Sequence, residues 1–180
     1  MVYGFYKMNF KMEKEYVVLV DSEDTEIGVM DKIQAHKEGK LHRAISVLIF
    51  NSKQQLLLQK RAAIKYHSPG LWSNTCCSHP RQNEKNHQAA SRRLKEEMGL
   101  DCHLNFLFNL TYKLNLEDNL IEHEYDYIYV GQSDTLPNPD SKEVSDWRYE
   151  DIQSIEREIK LNPHAFTPWF KLIMEQFKTR

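Results

Sequence analysis

Cysteine is scarce in this sequence. Three cysteines in 180 residues are an odd number, which does not fit a disulfide framework. Two of them, Cys76 and Cys77, are adjacent, and neighbouring cysteines rarely bridge without strain. A reducing, cytoplasmic setting is therefore expected. Long apolar runs are missing too: none approaches the ~20 residues a membrane-crossing helix needs. The opening stretch MVYGFYKMNFKMEKEYVVLV lacks the cationic start, apolar core and small-residue cleavage site of a secretory signal. Charge bias is also absent. With 24 basic and 26 acidic side chains and a formal net charge of -2, no global field recruits nucleic acid or an anionic membrane. A local basic pocket for a small anion is still compatible with that balance. Without repeats, low-complexity tracts or long linkers, and with 41% hydrophobic residues, the chain is expected to fold as one domain with a sizeable core.

What is present alternates between strand and helix patterns. YVVLV (16–20) reads as a strand, and AISVLIF (44–50) and QLLLQKR (55–61) as a hairpin about NSKQ. NHQAASRRLKEEMGL reads as a helix, with Ala90, Leu94 and Met98 on one face and Gly99 at the C-terminal cap. A strand pair follows at 103–114 and 120–131, then the loop TLPNPDSKEV, a short strand VSDWRY, and helices at 149–159 and 168–178. Strands and helices mix without regular βαβ alternation, so an α+β or layered α/β/α fold is expected.

Successive side chains of an extended segment point to opposite faces. In TCCSHP, Cys77 and His79 therefore share a face and Cys76 turns away. Cys76 is read as a packing residue, and Cys77 either as another small buried hydrophobe or as a functional thiol. In IEHEYDY the same period puts Glu122, Glu124 and Asp126 on one face. Three carboxylates so placed repel one another unless water solvates them or a cation neutralises them. A solvated sheet face and a divalent-metal site are both open. His36 and His42 flank a short Gly-containing loop. With His79, Glu122 and Glu124 they would form a three-histidine, two-carboxylate set, suited to a first-row divalent metal rather than calcium.

In the helix, Arg92 with Glu96 and Arg93 with Glu97 are four apart, a spacing that ordinary ion pairs account for. Glu84, Arg92, Leu94, Glu96, Glu97, Gly99 and Leu100 also match the Nudix box, in which a Gly, a Glu and an Arg-Glu pair precede a Glu-Glu and a Gly. Ser78 stands for the first Gly, and Arg93 for the Glu after the first Arg. Exchanging a magnesium-binding carboxylate for a cation argues against ordinary Nudix hydrolysis and for that helix face holding phosphate.

With LHRA, LLLQKR, SPGLWSNTCCSHP, RRLKEEMGL, EHEYDY, LPNPDSKEV and TPWFK in this order, the chain resembles the type I isopentenyl diphosphate isomerases, a non-hydrolytic branch of the Nudix fold. The resemblance spans about residues 27 to 175. It implies a single Nudix-type α/β/α domain of the α+β class with a mixed sheet at 27–180, and residues 1–26 as an extension packing on it. It also implies catalytic roles for Cys77 and Glu124, with Tyr112 beside Glu124. The implied metal ligands are His36, His42, His79, Glu122 and Glu124 for one divalent ion (manganese, magnesium or zinc). Glu97 would serve a magnesium that bridges to the substrate diphosphate. Lys32, Arg61, Lys65 and Arg93 would bind that diphosphate, and Trp169 would face the hydrocarbon, with Trp72 a weaker wall candidate.

The implied reaction converts isopentenyl into dimethylallyl diphosphate, reversibly, through a tertiary carbocation. Glu124, assisted by Tyr112, is assigned to protonate the alkene and Cys77 to remove the allylic proton, with the reverse assignment open. A Nudix hydrolase of a diphosphate and a metal-stabilised binding module are the alternatives. The expected partner is the small diphosphate, with no nucleic acid or membrane, on a monomer or weak homodimer.

Overall fold

The computed structural model describes residues 14–179. The expected N-terminal extension lies outside the described residues as far as residue 13. Strands β1 (Tyr16–Val20) and β2 (Glu26–Asp31) lead into helix α1 (Lys32–Glu38). Strands β3 (His42–Phe50) and β4 (Leu56–Arg61) follow, then short β5 (Trp72–Ser73) and β6 (Cys76–Ser78) and helix α2 (Asn86–Met98). The chain continues with β7 (Leu104–Asn115), β8 (Ile121–Gln132), β9 (Val144–Glu150), α3 (Ile152–Leu161) and α4 (Pro168–Lys178).

Among the described residues, nine strands join one mixed sheet. β3 is its hub. It runs parallel to β8 from His42↔Glu124 to Phe50↔Gln132 and antiparallel to β6 at Ser46↔Cys77, and it meets β1 at Leu19↔His42. β4 pairs with β9 and β5, and β7 with β8. The sheet thus continues N-terminally past residue 26, through β1.

Alternation along β3 sends its side chains into two separate cores. Ile45, Val47 and Ile49 pack with Ala90, Leu94 and Met98 of α2. Leu48, with Leu56, Leu58 and Ile128, packs against Ile155 of α3 and Phe170 and Ile173 of α4. Helices therefore cover both faces of a mixed sheet, the α/β/α layering of an α+β domain. The α4 face also carries His42 and Ser46, so polar residues on that face are enclosed rather than solvated.

Two boundaries differ from the sequence reading. Residues 149 and 150 complete β9 opposite Leu57 and Leu56, which moves the start of α3 to Ile152. Helix α1, which carries His36, and strand β2 are elements that the hydrophobic pattern did not mark. Among the described residues no helix is long and apolar enough to cross a membrane.

Candidate active site

The site begins with strand register. Tyr112 of β7, Glu124 of β8 and His42 of β3 lie directly opposite one another across three strands, so their side chains share a face. Glu122, Glu124 and Asp126 are all buried there. The solvated-face reading of these carboxylates is therefore set aside. Asp126 is held by the Ser46 hydroxyl, which donates at 2.7 Å, and Ser46 faces Cys77 in register.

Around Glu124 three imidazoles converge. Its Oε1 lies 3.0 Å from Nε2 of His79, 3.5 Å from Nε2 of His42 and 3.9 Å from Nε2 of His36. Ligand atoms of these four residues all lie within 4.8 Å of one another. The Nδ1 atoms of His36 and His42 sit 2.7 and 2.8 Å from the carbonyls of Lys32 and Lys40. A carbonyl only accepts, so Nδ1 is assigned the proton, and each Nε2 presents a lone pair towards Glu124. Both Nε2 atoms are buried without a hydrogen-bond partner among the described residues. Lone pairs and a carboxylate converging on one buried point repel unless a cation lies among them. Three nitrogens and an oxygen fit a first-row divalent ion. Glu122 stands apart from this group, with Oε1 3.6 Å from Nε2 of His67 and Oε2 buried without a partner among the described residues.

The phenol of Tyr112 donates to Glu124 Oε2 at 2.5 Å. Burial alone would raise the Glu124 carboxyl; imidazoles donating to it would outweigh burial and hold the group well below its usual range, and where their lone pairs face it instead, a cation among them takes that part. Burial and then Glu124 push Glu122 far up. Burial likewise lowers His79 to about 4, against the pull of Glu124.

Beside this cluster is a cramped cavity of about 60 Å³. Cys77, Tyr112, Glu122, Glu124 and His79 line it, as do Trp169 and the cations Lys32, Arg61, Lys65 and Arg93. Cys76 faces the α2 core instead, and all three cysteines are free. Burial pushes the Cys77 thiol up to about 12, with Arg61 pulling the other way. The Arg61 guanidinium is buried, bonded to the carbonyls of His67 and Ser68 at 3.1 and 3.2 Å, and lies 5.2 Å from the Trp169 ring centroid. Its Nη1 is 4.0 Å from Cys77 Sγ.

The other three cations are held at the rim by carboxylates. Lys32 pairs with Glu15 and Lys65 with Glu143, while Arg93 bonds Glu96, Glu97 and Glu143 at 2.8, 2.7 and 3.2 Å. Glu97 lies behind Arg93 and also takes a hydrogen bond from Gln59. Trp72 is not among the lining residues; Arg148 and Lys60 sit over its ring. Glu15, Tyr66, His67 and Glu143 line the cavity although no sequence pattern had singled them out. Lys65 marks the loop that carries Tyr66 and His67, and the quoted LPNPDSKEV contains Glu143. Those were the available signals.

The layered sheet and the Glu84–Arg92 clasp, in which Nε and Nη2 of one guanidinium edge bond the two carboxylate oxygens at 2.7 and 2.8 Å, define a class. The NUDIX domain family profile matches residues 40–170, and the chain belongs to that family. Solved structures agree on the fold. DR0079 of Deinococcus radiodurans aligns with a TM-score of 0.75 at 16% identity, covering 89% of this chain and 98% of that one. A MutT protein of Methanosarcina mazei Go1 aligns at 0.65 and 15% identity, covering 77% and 94%.

Relatives in sequence narrow the family to the isopentenyl-diphosphate Delta-isomerases. A protein of that name from Pectobacterium atrosepticum is 56% identical over 156 residues, 87% of each chain. An isopentenyl-diphosphate Delta-isomerase 1 from Aromatoleum aromaticum is 48% identical over 163 residues, 91% of this chain and 92% of its own.

Proposed function

We propose that this chain is an isopentenyl-diphosphate delta-isomerase, which interconverts isopentenyl and dimethylallyl diphosphate for isoprenoid synthesis. Identity of 45–56% with isomerases over most of the chain supports the reaction. One observation carries the mechanism: Cys77 and the Tyr112–Glu124 pair line a single buried cavity.

A proton delivered to the terminal alkene carbon leaves a tertiary cation, and loss of a proton from the carbon next to the diphosphate arm completes the shift. One of Cys77 and Glu124 gives a proton and the other takes one. Turnover exchanges their states, and proton exchange with solvent after product leaves restores them for the next turnover. The phenol on Glu124 Oε2 holds that carboxyl in line with the sheet face, and Trp169 offers a ring to the cation, worth about 2 kcal/mol when desolvated. The buried floor excludes water that would otherwise capture the cation.

Lys32, Arg61, Lys65 and Arg93 anchor the diphosphate. Four cations, the carboxylates Glu15, Glu124 and Glu143, and the raised acid Glu122 line the cavity. The chain's own charges therefore nearly cancel, and a diphosphate needs more positive charge. We assign one divalent ion (manganese, magnesium or zinc) to His36, His42, His79 and Glu124, with Glu122 beside them, and a magnesium for the diphosphate to Glu97. Such ions would supply counter-charge for the diphosphate. Arg93, paired with three carboxylates, occupies the box position where a hydrolase carries an acid, which disfavours diphosphate cleavage. The odd cysteine count supports a cytoplasmic enzyme, acting as a monomer or weak homodimer on a free small molecule.

Turnover of isopentenyl diphosphate in heavy water tests this reading. Deuterated dimethylallyl product is expected, and phosphate release without isomerisation would overturn it.

A further inference from the structure

His67 is the cavity residue whose surroundings are richest and whose role is unassigned. It lies in the loop after β4, is 7% exposed, and lines the cavity. Its ring stands edge-on to Trp169, with centroids 5.7 Å apart at 72°, and edge-on to Tyr66 at 4.4 Å. Its Nε2 lies 3.6 Å from Glu122 Oε1, beyond hydrogen-bond reach. Its Nδ1 is buried without a partner among the described residues. The imidazole is therefore placed by packing. Its backbone is pinned as well, because Arg61 binds the carbonyls of His67 and Ser68.

The cavity has two ends. The side chains of Lys32, Lys65 and Arg93 are 17–22% exposed at the rim, where a diphosphate keeps contact with water and magnesium. Trp169 and Tyr112 are buried at the floor, where the hydrocarbon goes. His67 is wedged into that floor between Trp169 and Glu122. The cavity is small, about 60 Å³, so one ring at its floor changes what fits.

On the isomerase reading above, we propose that His67 is a specificity-determining residue: its pinned imidazole limits the depth available to the substrate's hydrocarbon and confines the site to a five-carbon chain. Rigidity matters, because a wall that yields discriminates poorly. One extra methylene against a rigid apolar wall is worth roughly 10–200-fold in kcat/KM.

The test compares kcat/KM for isopentenyl diphosphate with that for its homologue bearing ethyl in place of the branch methyl. The wild type, His67→Ala and His67→Leu are measured, each after thermal unfolding shows that it is folded. His67→Ala is expected to narrow the ratio of the two substrates at least tenfold. His67→Leu, similar in bulk but without ring nitrogens, is expected to keep the wild-type ratio. An unchanged ratio in His67→Ala overturns the proposal, as does a ratio in His67→Leu relaxed as far as in His67→Ala. If His67→Ala does not fold, His67→Val replaces it, and a ratio equal to wild type is again fatal. Wild-type protein that fails to isomerise isopentenyl diphosphate would refute the isomerase reading itself. Normal wild-type turnover with an insensitive ratio would refute the role of His67 alone.

Discussion

Cys76 and Cys77 are chemically identical neighbours with opposite fates, because a strand turns successive side chains to opposite faces. Cys76 is fully buried in the α2 core, while Cys77 lines the cavity. Cys77→Ala is therefore expected to lower turnover by ~10²–10⁴ with thermal stability nearly unchanged. Cys76→Ala should keep turnover and cost about 1 kcal/mol through lost packing, measured by urea unfolding beside the deuterium assay. Metal content is a second prediction at this scale. Protein purified without chelator should carry an ion at the histidine cluster, and His42→Ala should lose it by elemental analysis, because its orphaned Nε2 is one of the four donors. Strand alternation made the face of Glu122, Glu124 and Asp126 legible in the sequence. It could not show His67, Tyr66, Glu15 or Glu143. Those positions lie in loops or just before β1, where no period operates, and only tertiary folding brings them to the cavity.

Elements with a strong period of their own were legible in the same way: α2, the β3–β4 hairpin and the long β7–β8 pair. β2 has no clean alternation of burial, and α1 is seven residues with only Ala35 and His36 buried. β5 and β6, two and three residues long, exist because β4 and β3 offer them partners. The end of α2 shows how one element positions another. Gly99 adopts φ +67°, and its N–H caps the carbonyl of Lys95. An added Cβ would lie 2.5 Å from the backbone oxygen of Asn138. Residues 138 and 140 are bonded to the carbonyls of Met98 and Glu97, so this turn carries the loop that delivers Glu143 to Lys65 and Arg93. Gly99→Ala is expected to cost about 1–3 kcal/mol and to raise KM as the Glu143 loop shifts. Denaturant unfolding and steady-state kinetics check the two effects separately.

Across the whole molecule, near-neutral charge conceals acids pushed in opposite directions. Burial and then Glu124 raise Glu122 and Asp126 far above their ordinary range. Glu84 is held low, first by its hydrogen bonds from Arg92 and also by the N–H of Arg81, with burial opposing. A carboxyl with a depressed folded-state pKa contributes stability above its unfolded value, near ~4.3. That contribution disappears as pH falls through the folded value, because the unfolded chain takes up its proton first. Glu84→Gln breaks the charged clasp but keeps its shape. The variant is expected to be less stable than wild type by about 1–2 kcal/mol at neutral pH. The difference should shrink as the pH drops below about 4 and vanish where Glu84 is protonated in both states. The raised acids cancel from this comparison because both proteins contain them. Melting temperatures across the acid range provide the measurement. A gap that stays constant with pH would mean that the clasp between the loop and α2 stabilises through packing, and that its charge contributes nothing.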